Sequence, residues 1–159
     1  MESRLEASMK PEFAESFEHL FDFIYQGDAE AIRLSVELLN VIHAWDDIVD
    51  GDSVSVDRIN AAFAGAMFEL SSSWLWDPGA IAVARVQYAK WRASNMIEQD
   101  EDATPQNKAV AYVYRAGFFD LFYYFAYKLY GMEWVESISP IIARCYGEPV
   151  DTYQLEFWR

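Results

Sequence analysis

Three carboxylates close an apolar segment of this chain, which reads Leu39-Asn40-Val41-Ile42-His43-Ala44-Trp45-Asp46-Asp47-Ile48-Val49-Asp50 before Gly51 and Asp52. In a helix, Asp46 and Asp50 stand one turn apart on one face and Asp47 flanks them. Like charges at that separation repel. Gly51 reads as the helix stop, so the three acids also sit at the negative end of the helix dipole. Such an arrangement calls for a compensating cation, and oxygen-only ligands at DDxxD spacing suit Mg²⁺ or Ca²⁺. His43 lies one turn before Asp47, where it either orients that carboxylate or serves as a hydrogen-bonded core residue. The alternative for the whole motif is a solvated helix end running into an Asp-Gly turn, in a chain with 26 acidic residues.

A second acidic group lies further on, where Asn95, Glu98 and Asp102 recur at spacings of three and four and share a helix face. If consecutive helices run antiparallel, this cluster and the DDxxD cluster fall at one pole of a bundle. The start of the next helix brings Lys108 there and, two turns in, Arg115. Two carboxylate clusters with one or two cations make a metal-bridged phosphate site, with Asp46, Asp47, Asp50, Glu98 and Asp102 around Mg²⁺ and Lys108 and Arg115 on phosphate oxygens. The competing reading of the second cluster is a solvated charge run before the Thr104-Pro105 break. Asp120 stands inside an aromatic run from Gly117 to Tyr127. A charge buried there is costly unless paired or metal-bound, and the alternative is that it emerges on a thin polar stripe with Lys128.

The stretch from Glu37 to Asp52 resembles the first aspartate-rich motif of class I isoprenoid synthases, the trans-prenyl diphosphate and squalene/phytoene synthase group. The resemblance implies an all-helical bundle in which the first and last Asp of the motif hold Mg²⁺ ions, which in turn hold a substrate diphosphate. Asp46 and Asp50 take those places, and His43 fits the helix entering the motif. The resemblance also implies a greasy pocket for a prenyl chain, with Phe118, Phe122, Tyr123 and Phe125 as candidates. The family's second metal motif is not present intact, because Asn95 is followed at four-residue steps by Gln99 and Ala103.

These residues need helices to position them. A content of 53% hydrophobic and 17% aromatic residues excludes general disorder, and 7 Gly and 5 Pro leave few turns among 159 residues. The fold class expected is all-α, a single-domain bundle over 1–159 resembling a shortened isoprenoid-synthase fold. Periodicity gives about six antiparallel helices and no strand alternation. The first runs from about Pro11 to Gln26, with Phe13, Phe17, Leu20, Phe21 and Ile24 on one face, and Gly27 ends it. The second spans Asp28, its N-cap, to Asp50, with Ile32, Val36, Leu39, Ile42 and Val49 as apolar positions. A third starts near Ser55 and carries Ile59, Phe63, Met67 and Leu70 toward Trp74. The turn Asp77-Pro78-Gly79 follows, then a fourth helix from Ala80 to Asp100 and a fifth from Thr104-Pro105 to Tyr130, before Gly131. The last lies near Glu133 to Tyr146, kinked or restarted at Pro140.

A net charge of −14 argues against a nucleic-acid surface, which needs basic residues to displace counterions. The lone Cys145 permits no internal disulfide and fits a reducing compartment; it is a weak nucleophile candidate, more often a small buried hydrophobe. Met1 to Lys10 lacks the apolar core of a signal peptide, and no apolar run is long enough to span a bilayer. A cytoplasmic protein is expected. There is no glycine-rich phosphate loop, CxxC or HExxH, and two histidines are few for zinc or di-iron chemistry. The leading expectation is Mg²⁺-dependent binding of a diphosphate-containing small molecule, with transfer or hydrolysis if it is an enzyme, and no residue assigned to a bond-making step. One rival is a non-enzymatic acidic interaction or inhibitor protein that presents carboxylates to a basic partner. Another is an all-α nucleotide pyrophosphohydrolase, whose ExxE or ExxD pairs are broken at Glu37 and Asn40. Self-association as a homodimer is expected through Tyr123, Tyr127, Trp134 and Trp158.

Overall fold

Asp28 and Gly51 bound the first long helix by simple backbone chemistry. The Asp28 carboxylate accepts from the Ala31 N–H at 2.9 Å, and Gly51, at φ 82°, turns its N–H back onto the Asp47 and Ile48 carbonyls. In the computed structural model, which describes residues 17–145 and 149–157, every element is a helix and no strand occurs among the described residues. The helices are α1 (Phe17–Ile24), α2 (Ala29–Asp50), α3 (Val56–Ala64), α4 (Pro78–Glu98), α5 (Pro105–Arg115), α6 (Phe119–Arg144) and α7 (Val150–Phe157). Their contacts group into two compact units, α1 to α3 within Met1–Asp77 and α4 to α7 within Pro78–Arg159. No helix among the described residues is long and apolar enough to cross a membrane.

In the first unit, α1 buries Leu20, Phe21 and Ile24, followed by Tyr25, while α2 buries Ala31, Leu34, Ser35, Leu38 and Leu39. The expected start of α1 at Pro11 and Phe13 lies outside the described residues. On α2 the buried stripe is rotated from the expected one. Leu39 is buried, Ile32, Val36 and Ile42 are half-buried, and Val49 is exposed. Ser35 explains the rotation, since it lies in the core and its hydroxyl meets the Tyr25 hydroxyl at 2.8 Å. Burial pushes the Tyr25 phenol far above its usual range, so it stays protonated and satisfied.

Helix α3 departs furthest from its amphipathic pattern. Ser55 caps it by accepting from the Arg58 N–H at 3.2 Å, and a π-helical turn, Gly65–Glu69, leads into the short Leu70–Ser72. Of the expected face only Leu70 is buried, whereas Ile59, Phe63 and Met67 point outward, as does Trp74. The reason is close approach. Gly65 is buried against α2, where an added Cβ would collide with the Glu37 carboxylate and come to 3.0 Å of Val41 Cγ2. Ala62 and Ala64 are accordingly half-buried and Gly65 buried, while the large residues face out. The π turn, closed by the Leu70 N–H on the Gly65 carbonyl, inserts one residue and resets the phase before Leu70.

In the second unit, Thr104 and Asn107 cap α5 reciprocally, at 3.2 Å from the Asn107 N–H and 3.0 Å from the Thr104 N–H. The helix expected to run on to Tyr130 breaks instead after Arg115, because Gly117 presses its bare backbone against the Gln87 amide of α4. Helix α6 then begins at Phe119 and is interrupted at Gly131, whose φ of 79° and ψ of −178° are closed to residues with a Cβ. Its two arms fold back on each other: the Tyr123 hydroxyl donates to the Ser139 carbonyl at 3.3 Å, two positions that a straight helix would hold about 24 Å apart. Gly131 alone leaves helical dihedrals in this run, so the helix does not restart at Pro140 but continues through it. Helix α7 was not anticipated from periodicity. Its Tyr153 is fully buried and lies 5.0 Å from Tyr112, ring to ring. Tyr146 and Trp158 lie outside the described residues.

Candidate functional site

The fold-back of α6 leaves a groove of about 620 Å³ against α4. One wall is Ala82, Val83, Val86, Gln87 and Lys90 from α4; the other is Asp120, Tyr123, Tyr124 and Tyr127 from the first arm of α6, with Met132 and Val135 from the second. The volume and the mainly apolar lining fall in the range of small-molecule sites. Its polar groups form one connected set. The buried Gln87 donates its amide N–H to Asp120 Oδ2, and the Lys90 ammonium lies 3.7 Å from the same oxygen. Lys90 also stands 5.6 Å over the Tyr114 ring. The Gln87 amide oxygen is buried without a hydrogen-bond partner among the described residues, sealed against Gly117. Burial, and secondarily the Asp120 charge, push the Tyr123 phenol above its ordinary value.

Asp120 thus sits neither bare in the core nor simply on a solvent stripe. It is half-exposed and paired. The aromatic positions sort differently from the expected greasy pocket: Phe122 and Phe125 are wholly buried in the core, and Tyr123 alone of the four candidates lines the groove, joined by Tyr124 and Tyr127.

The DDxxD group lies at the end of α2, in the first unit. Asp46 and Asp47 are half-buried, while Asp50 and His43 are exposed. Asp47 makes an ion pair with Arg58, the first basic residue of α3, at 2.5 Å. The compensating charge at this helix end is thus partly supplied by the chain. Glu98, Asp102, Lys108 and Arg115 lie in the second unit. Among them, Glu98 and Arg115 are brought together at 3.0 Å, with the Glu98 side chain only 3% exposed. The Tyr153 hydroxyl donates to the other Glu98 oxygen at 2.7 Å and lies 3.5 Å from the Lys108 carbonyl. Buried, and bonded to an arginine and a phenol, Glu98 is built into the packing. Asp102 is exposed in the α4–α5 loop, its N–H held by Asp100 Oδ1 at 3.0 Å. Asn95 Oδ1 is buried without a partner among the described residues. No three His, Cys, Asp or Glu side chains among the described residues are grouped to hold one metal ion. Cys145 ends α6 half-buried, and burial raises its thiol pKa, away from the reactive thiolate.

No family model, curated protein or solved structure matches this chain. Gln87, Lys90 and Tyr153 escape a reading that looks for acid clusters, yet α4 carries a signal for the first of them. Positions 80, 84, 87, 91, 94 and 98 form one stripe at steps of four and three, and it is the stripe that α4 buries, with Gln87 and Ser94 inside it beside Ala80 and Trp91. Polar residues on a core-facing stripe mark a place where hydrogen bonds are made on purpose.

Proposed function

We propose that this protein binds a small molecule in the groove between α4 and the folded arms of α6, the ligand's apolar body lying along Val83, Val86, Tyr127 and Val135. The observation that carries this reading is a groove of about 620 Å³ that combines an aliphatic and tyrosine lining with a single connected polar set. Sites of this build fix orientation with few polar groups and take affinity from apolar burial. Titration with n-octanol followed by amide NMR is the test. Shifts confined to 82–90, 120–127 and 132–135, and weakened by Val83→Trp, which narrows the groove, support the reading. Weak shifts spread over all helices, unchanged in Val83→Trp, would remove it.

A second reading concerns the end of α2, where Asp46 and Asp50 stand one turn apart beside the Asp47–Arg58 pair. It is favoured by Mg²⁺ chemistry, in which one or two carboxylates suffice when substrate phosphates and water supply the other ligands. On that reading the site takes Mg²⁺ and diphosphate together rather than the metal alone, and no bond-making step is assigned. Thermal melting with Mg²⁺, with diphosphate and with both is the measurement. At a hundredfold excess over the dissociation constant, binding adds about 2.7 kcal/mol, or about 5 to 10 °C for a domain of this size. The gain should need both components and vanish in the Asp46→Asn, Asp50→Asn double variant. Identical midpoints under all conditions would leave the motif as a solvated helix end.

A further inference from the structure

Asp120 is used on one side only. Both of its side-chain partners, the Gln87 amide and the Lys90 ammonium, engage Oδ2, and Oδ1 has no partner among the described residues. The side chain is 39% exposed, so that oxygen is within reach of a ligand in the groove. A half-satisfied carboxylate beside an apolar surface gains most from a charged donor. We propose that the groove is a receptor for an organic cation, an alkyl- or arylalkyl-ammonium whose head meets Asp120 Oδ1 and whose apolar body lies on the groove wall; the proposal rests on the groove being a ligand site.

Charge and ring chemistry favour a cation over an anion or a neutral head. Tyr123, Tyr124 and Tyr127 are among the residues that line the groove, and tyrosine rings attract an ammonium that leaves water. The chain's net charge of −14 raises the local concentration of cations and repels anions. Lys90 is the one basic residue of the groove wall, and its ammonium is already divided between Asp120 Oδ2 and the Tyr114 face. An anionic head would have to draw it away from both while meeting the Asp120 carboxylate. A neutral hydroxyl would satisfy Oδ1 without the charge.

Calorimetry near neutral pH with n-octylammonium, n-octanol and octanoate, on the full chain, separates these cases because the three probes share one tail. The expected result is that n-octylammonium binds at least about tenfold more tightly than either other probe, and that Asp120→Asn removes this preference for the cation over n-octanol. Lys90→Met, which deletes the competing cation, should tighten n-octylammonium binding. Equal affinity for n-octanol and n-octylammonium overturns the cation assignment but leaves the groove reading standing. Tightest binding of octanoate overturns it in favour of Lys90. Absence of binding by all three probes sinks the groove reading and the inference with it. If Asp120→Asn binds none of the three probes, its fold is damaged and Lys90→Met decides: tighter n-octylammonium binding supports the proposal, and unchanged or weaker binding overturns it.

Discussion

Tyr25 and Ser35 bury two hydroxyls against each other at 2.8 Å, and the pair shows how unequal two partners of one hydrogen bond are. With Ser35→Ala, the Tyr25 hydroxyl loses this bond in a site with no solvent exposure, and removing one partner of a buried hydrogen bond costs about 1–3 kcal/mol. With Tyr25→Phe, the Ser35 hydroxyl can instead turn to the carbonyl one turn back in α2, so the loss should stay below about 1 kcal/mol. Denaturant unfolding of the two variants checks the order; a larger loss for Tyr25→Phe would mean that the ring's fit, rather than the bond, dominates. Single residues were unevenly legible in the sequence. The DDxxD carboxylates announce themselves because charge is conspicuous on an apolar background. Gln87 and Tyr153 do not, because a neutral amide and a phenol become notable only once the stripe they occupy is known to be buried.

At the level of helices, the two left-handed glycines that punctuate α2 and α6 ask different things of a substitution. Gly51 has φ 82° and ψ 16°, the ordinary left-handed cap that asparagine also adopts, whereas Gly131 has φ 79° and ψ −178°, a region essentially reserved for glycine. A Cβ at either meets nothing within 4 Å, so any cost is backbone strain alone. Gly51→Asn should therefore be nearly neutral, and Gly131→Asn should cost about 1–3 kcal/mol. Comparable melting points for the two would show that the fold-back of α6 is not held by that dihedral. Helix ends set by such chemistry were readable in advance: Asp28, Gly51, Pro105 and Gly131 all mark boundaries the sequence suggested. The break at Gly117 was not, because it depends on a contact with Gln87 thirty residues away. The outward face of α3 escaped for a related reason, since periodicity counts large apolar residues and the helix packs through its small ones. The groove was equally hidden, being a product of the α6 reversal and of no local pattern.

For the whole chain, surface and charge have to be considered together. Val56, Ile59, Phe63, Met67, Phe68 and Trp74 are exposed, from 40% for Ile59 to 72% for Val56, in a molecule whose net charge is −14. Of the positions expected to drive self-association, Tyr127 is exposed, Tyr123 and Trp134 are half-buried, and Trp158 lies outside the described residues. The longer run of exposed apolar residues is on α3 and on the π turn and loop that follow it. Mutual repulsion holds such surfaces apart only while the carboxylates are ionised and weakly screened, with a Debye length of about 8 Å at physiological salt. Light scattering should therefore report larger particles as pH falls toward about 4, where Asp and Glu protonate, and as salt is added at neutral pH. Phe63→Ser with Met67→Ser should suppress both trends, and a size indifferent to pH and salt would discount α3 as the contact. Gly65, by bringing the chain close to α2 with the bulky side chains around it outermost, thus predicts the behaviour of a colloid: a particle with a sticky spot, dispersed by its own ion atmosphere, whose shelf life should follow ionic strength rather than folding stability.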